Sequence, residues 1–304
     1  MKKNNFYFIA ECVIIVLMLF IIGILMNDRS NATIGSEVTS KNNEVLVVEE
    51  EDIQIVEKDV KEVPLTKETI VDQEGEPLRI VVFGDSIWDE GRGEDGISEQ
   101  IMAQSNVKIY NCAIGGTTAA VVNESTEWDN WTSKSFNGMM YIANGAVKAE
   151  ELISDTAAYE IMKNIDFKTI DYVIVSYGLN DYFSDVPIYP EEYYDLSSYV
   201  GALRHGITKL KEEYPNLKII LTSPTYCEWF TGERQFELGT YVENARGVAE
   251  EMDVCFLDMY HAFGKNPEDK IQYLEDGVHL TAQGRALYAN SVMSMLKELT
   301  KESK

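Results

Sequence analysis

Ser86 lies in a setting that suits covalent chemistry. The run RIVVFGDS, residues 79–86, is rich in β-branched side chains and ends in Gly84-Asp85-Ser86, so it predicts a buried strand that carries a hydroxyl at its carboxyl end. Backbone N–H groups of the turn or helix that follows can stabilise a negatively charged oxygen at such a position. The same three residue types also occur in ordinary turns and helix caps, so the interpretation requires a base elsewhere in the chain.

Three histidines are available as that base: His205, His261 and His279. His205 lies in a predicted helix, which favours a structural role, and His261 follows a predicted strand. Neither has an acidic residue at an obvious orienting position in a loop. His279 differs because Asp276 precedes it by three residues in the run DGVH, and an aspartate bonded to imidazole fixes the tautomer that takes a proton from serine. The alternative is that Asp276 caps the helix that follows.

Five apolar runs and the segments between them predict the scaffold that would position these residues. Strands are expected within residues 79–86, 107–114, 171–178, 217–224 and 254–260, and amphipathic helices at about 96–105, 145–164, 193–214, 236–252 and 281–299. This alternation indicates an α/β fold, a three-layer α/β/α sandwich with a five-stranded parallel sheet covered on both faces. Such a sheet places its site at the carboxyl ends of the strands, at a topological switch point.

Four separated blocks, each at a predicted strand end or at the start of a predicted helix, resemble the SGNH (GDSL-type) hydrolase family. In chain order they are residues 82–86 (VFGDS), 111–116 (NCAIGG), 178–181 (GLND) and 276–279 (DGVH). The resemblance extends over about residues 78–299 and implies the flavodoxin-like arrangement of that family. It does not extend to the N-terminal part of the chain.

The resemblance implies a role for each block. Ser86 would be the nucleophile, and Asp276 and His279 would complete a catalytic triad. The backbone N–H groups of Ser86 and Gly116 and the side-chain amide of Asn180 would form an oxyanion hole for a tetrahedral intermediate. The second glycine of NCAIGG leaves open a shift of the middle donor by one residue.

Residues 117–144 form a long connection that contains Phe136 and Tyr141 among other aromatic side chains, and we expect it to form a wall of the substrate site. The candidate substrate contacts are Trp88, Trp128, Trp131 and Tyr177. Together with Trp229, the tryptophans of this region could stack on sugar rings. The alternative is that they anchor the core or its loops.

Composition excludes some classes of function. A net charge of -25 over 304 residues argues against binding to nucleic acid, because phosphate binding needs a basic surface. The hydrophobic fraction of 45% supplies a core without metal or disulfide support. The four cysteines form no CxxC or Cys/His cluster, so no metal or other cofactor is expected. One disulfide among Cys112, Cys227 and Cys255 stays open, and the alternative is buried free thiols.

Residues 6–26 form a nearly continuous apolar run of 21 residues, long enough to cross a bilayer as a helix. Lys2 and Lys3 precede the run, so the positive-inside rule keeps the N-terminus cytoplasmic. A cleaved signal peptide is the alternative, but no clear small-x-small cleavage site follows. We therefore expect residues 1–26 to be a single-pass signal-anchor in the cell membrane, with the rest of the chain extracellular.

Residues 27–77 carry 14 acidic and five basic side chains and no aromatic one. Such a segment cannot bury enough apolar surface to offset the entropy of ordering, so it predicts a flexible acidic stalk. The hydrolase domain is then expected at residues 78–304.

These features predict a membrane-anchored serine esterase that cleaves a carboxylic ester outside the cytoplasm. An acetylated glycan is the expected substrate, because an outward-facing enzyme meets envelope glycans and the family that the chain resembles includes carbohydrate O-acetyl esterases. A lipid esterase or lysophospholipase and an acyltransferase with the same triad are the alternatives among enzymes. The alternative from another class is a non-catalytic module that binds glycans or proteins, although all four side chains of the proposed site are present.

Overall fold

The computed structural model describes residues 67–122, 133–229 and 234–302. Within these ranges no helix is both long and apolar enough to cross a membrane. The predicted anchor in residues 6–26 and most of the predicted stalk lie outside the described residues. The anchor and the stalk up to residue 66 therefore stay predictions, whereas the predicted start of the domain at residue 78 is too late, because residues 67–77 pack on the domain.

Five parallel strands form the central sheet, in the spatial order β2-β1-β3-β4-β5. They are β1 (Arg79–Gly84), β2 (Lys108–Asn111), β3 (Tyr172–Ser176), β4 (Lys218–Thr222) and β5 (Cys255–Leu257). Each strand lies within one of the five predicted runs, so the predicted strands are confirmed. Every residue of β3 and all but the first residue of β1 are buried, as expected of central strands covered on both faces.

The order of the strands reverses beside β1. The chain runs from β1 outward to β2 and then crosses back to β3 on the other side of β1, where Gly84 is in register with Ser176. The carboxyl ends of β1 and β3 are therefore neighbours at a topological switch point, the usual ligand site of such sheets. A Cβ atom at Gly84 would lie 3.0 Å from the backbone oxygen of Ser176, so glycine permits the strands to approach closely here.

Helices connect the strands and cover the sheet. In the part of the chain that the structure describes, they are α1 (Ser86–Asp89), α2 (Ile97–Gln104), α3 (Phe136–Ala143), α4 (Ala149–Leu152), α5 (Ala157–Met162), α6 (Leu179–Phe183), α7 (Tyr199–Glu213), α8 (Leu238–Glu251), α9 (Met259–Ala262), α10 (Pro267–Ile271) and α11 (Ala282–Glu302). Helix α2 packs against α11, while α3 and α8 both pack against α7. Because both faces of the central strands are buried, these two groups of helices correspond to the two outer layers.

Two predicted helices differ from the structure, and local polar side chains explain both differences. The helix expected at 145–164 is divided into α4 and α5, because Thr156 Oγ1 donates to the Ile153 oxygen at 2.8 Å between them. The helix expected from residue 193 begins only at Tyr199. There Ser198 Oγ accepts the Gly201 N–H at 3.2 Å and caps the first turn.

The connection after β2 is not a wall of exposed aromatic side chains along its described length. Its last part forms α3, in which Phe136 is fully buried and Tyr141 is nearly so. The Phe136 ring packs on Phe83 and Tyr177, with ring centroids 6.4 and 5.8 Å apart. The expected substrate role of Phe136 and Tyr141 is therefore wrong, because these side chains fix α3 to the core.

The domain's three cysteines, Cys112, Cys227 and Cys255, are free thiols. Cys112 and Cys227 are buried, and burial raises the pKa of the Cys227 thiol to about 11. The disulfide that the sequence left open does not form among them, and the two buried thiols act as small apolar side chains.

Residues 67–77, which composition placed in the stalk, pack on the domain. Glu68 forms a parallel bridge with Ser105, and Ile70 is only 2% exposed. The Ile70 N–H donates to Asn106 Oδ1 at 2.8 Å. The packed part of the chain thus begins no later than Lys67. One buried isoleucine anchors this segment, but its many charged side chains made the composition indicate a flexible stalk instead.

We expect the substitution Ile70→Ala to lower the free energy of unfolding by about 2–4 kcal/mol, the usual loss for a buried isoleucine. Urea unfolding of a soluble form that begins ahead of Lys67 would measure this change. The exposed neighbour Gln73 provides the control, since Gln73→Ala should change stability by less than about 0.5 kcal/mol. Equal stability of the two variants would contradict the packing of Ile70.

Candidate active site

Ser86 occupies the first position of α1, directly after β1 and Asp85. Asp85 is the N-cap residue of this short helix, and its Oδ1 accepts the Ile87 N–H at 3.0 Å. The cap turns the chain sharply out of the sheet and holds the serine at the switch point. The predicted position of Ser86 at the carboxyl end of a buried strand is therefore what the structure shows.

Ser86, His279 and Asp276 form a continuous hydrogen-bonded line. His279 Nε2 lies 3.0 Å from Ser86 Oγ, and His279 Nδ1 lies 2.8 Å from Asp276 Oδ2. An ionised carboxylate can only accept, so Nδ1 carries the proton and Nε2 presents its lone pair to the serine hydroxyl. This arrangement can move a proton from Ser86 to His279.

Asp276 is held in its ionised form. Its Oδ1 accepts the backbone N–H groups of Val278 and His279 at 2.9 and 2.8 Å. The His279 N–H, followed by the His279 side chain, lowers the pKa of Asp276 to about 2. The carboxylate therefore remains available to orient the imidazole across the physiological pH range.

The loop that carries Asp276 and His279 is fixed by the segment after β4. The Glu228 N–H donates to the Gly277 oxygen, and Trp229 Nε1 donates to the Asp276 oxygen, both at 2.7 Å. Gly277 has φ +88°, and a Cβ atom there would lie 2.9 Å from Trp229 Cδ1. We call these contacts of Glu228 and Trp229 with the Asp276–Gly277 backbone the clamp. The residue pattern did not predict it, because it joins segments that are far apart in the sequence.

The predicted oxyanion donors follow three neighbouring strands: Ser86 begins α1 after β1, Gly116 lies in the loop after β2, and Asn180 lies in α6 after β3. The Gly115 N–H is already bound to Asp89 Oδ2 at 2.8 Å, whereas the N–H groups of Ser86 and Gly116 have no acceptor among the described residues. Asn180 Nδ2 donates to the Thr117 oxygen at 2.9 Å, which uses one of its two amide protons. This pattern favours Gly116 over Gly115 as the middle donor.

An aspartate and an arginine, neither of which was predicted to contribute, support that donor loop. Asp89 Oδ1 pairs with Arg92 Nε at 2.7 Å. The Arg92 Nη atoms donate to the backbone oxygens of Asn111 and Ala113, both at 3.0 Å. The i, i+3 spacing of Asp89 and Arg92 was the sequence signal for a pair, but its contact with the next block depends on the fold.

Two carboxyl groups near Ser86, those of Asp85 and Asp181, are buried. Asp181, directly after Asn180, accepts the N–H groups of Ala119 and Ala120 at 2.9 and 3.0 Å. Burial raises the pKa of Asp85 to about 7 and that of Asp181 to about 6. Unlike Asp276, these two side chains are disfavoured as anions.

The other two histidines are outside this line. His205 is 2% exposed, its Nδ1 lies 2.6 Å from Asn137 Oδ1, and burial lowers its pKa to about 4. His261 does have an orienting carboxylate, contrary to expectation, since its Nδ1 lies 2.9 Å from Asp258 Oδ2. Asp258 precedes His261 by three residues and caps α9. The Asp258–His261 pair at the end of the edge strand therefore has a structural role at the start of that helix.

Two predicted substrate contacts are wrong. Trp88 and Tyr177 are 2% and 1% exposed, and the Trp88 ring packs edge-on against Tyr288 with centroids 5.3 Å apart. Side chains enclosed in this way cannot touch a substrate. Trp128 and Trp131 lie outside the described residues, so their predicted role stays a prediction.

The model of the GDSL-like lipase/acylhydrolase family matches residues 82–287 of this chain. A GDSL esterase/lipase of Arabidopsis thaliana is 29% identical over 140 residues, which is 41% of this chain and 58% of that protein. A second one from the same plant is 21% identical over 141 residues, with the same shares. The chain thus spans 58% of the length of these relatives.

Solved structures share the fold. A protein from Lactobacillus plantarum superposes with a TM-score of 0.53 at 19% identity, over 75% of this chain and 98% of that one. A possible lipase from Chitinophaga pinensis gives a TM-score of 0.50 at 18% identity, over 73% and 98%. At this level of identity the likeness establishes the α/β fold with its five-stranded parallel sheet.

We expect Gly277→Ala to slow the labelling of Ser86 by a fluorophosphonate at least about 10-fold. An L-residue is strained at this positive φ by about 1–2 kcal/mol, and its Cβ would collide with Trp229 and displace His279. Stopped labelling reactions on the purified protein would measure the rate. Gly239→Ala in α8, where a Cβ meets nothing within 4 Å, should leave it unchanged, and an unaltered rate in Gly277→Ala would refute the role of the clamp.

We expect Asp85→Asn to change how stability depends on pH. The folded state holds the Asp85 proton more tightly than the unfolded chain, whose aspartate pKa is about 3.9, so this stabilisation is lost as pH rises from about 4 through 7. The free energy of unfolding of Asp85→Asn, relative to the unsubstituted protein, should therefore rise by about 1–3 kcal/mol between pH 5 and pH 8. Urea unfolding at both pH values tests this, and a pH-independent difference would contradict it.

Proposed function

We propose, from the premise that this chain belongs to the GDSL-like lipase/acylhydrolase family, that it is a serine esterase with Ser86, His279 and Asp276 as its catalytic triad. The observation that carries the proposal is the line of hydrogen bonds from Ser86 Oγ through His279 to Asp276, with contacts of 3.0 and 2.8 Å. A family member without chemistry would have no need for a serine, an imidazole and an ionised carboxylate at hydrogen-bond distance.

In the first step His279 Nε2 takes the Ser86 proton while Ser86 Oγ attacks the carbonyl carbon of the ester. The carbonyl oxygen becomes an anion, and the Ser86 N–H, the Gly116 N–H and the free amide proton of Asn180 stabilise it, each donor contributing about 3 kcal/mol. The imidazolium then gives its proton to the alcohol oxygen, the carbon–oxygen bond breaks, and the acyl group remains on Ser86.

In the second step a water molecule replaces the alcohol. His279 takes a proton from the water, the hydroxide adds to the acyl carbon, and the Ser86 oxygen leaves with the proton from the imidazolium. Asp276 stays ionised in both steps and stabilises the imidazolium. No cofactor enters this sequence of steps.

We further propose that the enzyme acts outside the cytoplasm, anchored by residues 6–26, and that it removes acetyl groups from a glycan. The apolar run and the preceding lysines support the location. Trp229 supports the substrate class, because its indole is 50% exposed beside the Asp276–His279 loop. An aromatic face in that position can stack on a sugar ring while the hydrogen bond of Nε1 keeps it in place.

We expect Ser86→Ala to abolish both fluorophosphonate labelling and ester hydrolysis, with a loss of about 10⁴-fold or more in kcat, because the nucleophile itself is removed. Circular dichroism should show that the fold is retained. Ser154→Ala, at an exposed serine, is the matched control and should retain full activity. Residual turnover in purified Ser86→Ala equal to that of the control would refute the assignment.

The same preparation tests the proposed substrate. Hydrolysis of p-nitrophenyl acetate should exceed that of the octanoate, and acetate should be released from acetylated polysaccharides. A preference for the octanoate or for lysophospholipid would favour the lipid esterase instead. Transfer of acetyl to an added sugar in preference to water would favour an acyltransferase.

A further inference from the structure

A cavity of about 180 Å³ opens beside the nucleophile, and its lining includes Ser86, Glu90, Glu275, His279 and Arg285. The donor residues Gly116 and Asn180 do not line it. In the proposed mechanism the imidazole of His279 delivers a proton to the departing alcohol oxygen. A cavity that borders the imidazole and lies away from Gly116 and Asn180 is therefore where the alcohol part of the ester would lie.

The one guanidinium group in the lining of this cavity is engaged by its own surroundings. Arg285 Nε donates to the Asp95 oxygen at 3.0 Å, and Nη1 donates to the Leu280 oxygen. Nη1 also pairs with Glu275 Oε1 at 3.3 Å, and the Arg285 side chain is 14% exposed. The positive charge of Arg285 and the negative charge of Glu275 therefore balance each other within the wall.

Glu90 is in a different situation. Its backbone N–H donates to the Ser86 oxygen at 2.8 Å, which fixes it next to the nucleophile. Its Oε1 lies 3.2 Å from His279 Nε2, and its side chain is 56% exposed. Among the described residues this imidazole is the only basic side chain within 4.0 Å of the Glu90 carboxylate.

The contact between Glu90 and His279 is unfavourable in the resting site. When Nε2 presents a lone pair to Ser86, it offers no proton to Glu90, so a carboxylate oxygen faces an imidazole lone pair. Among the described residues the Glu90 carboxylate thus has no cationic or hydrogen-donating partner at the position where the alcohol part of the substrate would lie. The net charge of -25 adds a long-range attraction for cations.

We propose that this cavity is the alcohol subsite and that Glu90 makes it selective for an alcohol that carries an ammonium group, such as an amino sugar with a free amine. This inference rests on the proposed esterase function. The ammonium group would pair with Glu90, and the ester oxygen would then lie near His279 Nε2, where it receives the proton. An alcohol with a carboxylate or phosphate at the same position would be repelled.

The test compares acetylcholine with 3,3-dimethylbutyl acetate, an uncharged ester of the same shape, on the purified protein. The ratio of their kcat/KM values is the readout, because any effect of a variant on the chemical step cancels in it. The unsubstituted protein should prefer acetylcholine by about 5- to 50-fold, the range expected for unit charges a few ångströms apart near a protein surface. Glu90→Gln should bring the ratio close to one, and salt at 1 M should lower it.

Glu94→Gln is the control, since Glu94 is an exposed carboxylate of the same loop that does not line the cavity. Its ratio should remain that of the unsubstituted protein. A ratio near one in the unsubstituted protein, or one that Glu90→Gln leaves unchanged, would overturn the inference while the esterase function stands. If neither ester is cleaved and fluorophosphonate does not label Ser86, the proposed function itself fails, and the inference fails with it.

Discussion

The hydrogen bond between Ser86 Oγ and His279 Nε2 joins residues that are 193 positions apart in the chain. A shift of about 1 Å at either end would remove it as a path for the proton. Strand β1 fixes the serine at the carboxyl edge of the sheet, and hydrogen bonds from Glu228 and Trp229 fix the backbone of the histidine loop. The position of one short contact therefore depends on the whole sheet, since the Glu228 segment follows β4 and the serine follows β1.

The aspartates around this contact show how environment assigns charge to identical side chains. Backbone N–H groups keep Asp276 ionised at the solvent side of His279, with a pKa of about 2. Burial raises the pKa of Asp85 to about 7 and that of Asp181 to about 6. Negative charge is thus favoured beside His279, where in the proposed mechanism it stabilises an imidazolium, and disfavoured next to Ser86, where it would oppose the oxyanion of that mechanism.

Local patterns were sufficient to predict the five strands, because burial of β-branched runs is a property of short segments. The roles of the four blocks came from the resemblance to the family. Contacts between distant segments could not be predicted in this way. The hydrogen bond from Trp229 to Asp276 and that from Gly115 to Asp89 both depend on how loops meet across the sheet.

The exposure of individual side chains could not be predicted from the sequence either. Trp88 was predicted to contact the substrate, yet it lies in a short helix and its ring packs inward onto Tyr288. Ile70 shows the opposite error, because a single buried side chain in a charged segment is invisible to composition. In both cases the direction of one side chain, set by tertiary packing, decided the outcome.

The two arginine side chains near Ser86, Arg92 and Arg285, donate hydrogen bonds that hold loops in place. Arg92 donates to two backbone oxygens at the end of the β2 block, and Arg285 donates to the backbone oxygens of Asp95 and Leu280. In the proposed mechanism the oxyanion is therefore stabilised by N–H dipoles and not by a cation. This arrangement suits a chain with a net charge of -25, because a mobile lysine would be drawn to the many surface carboxylates, whereas backbone N–H groups are oriented by the fold itself.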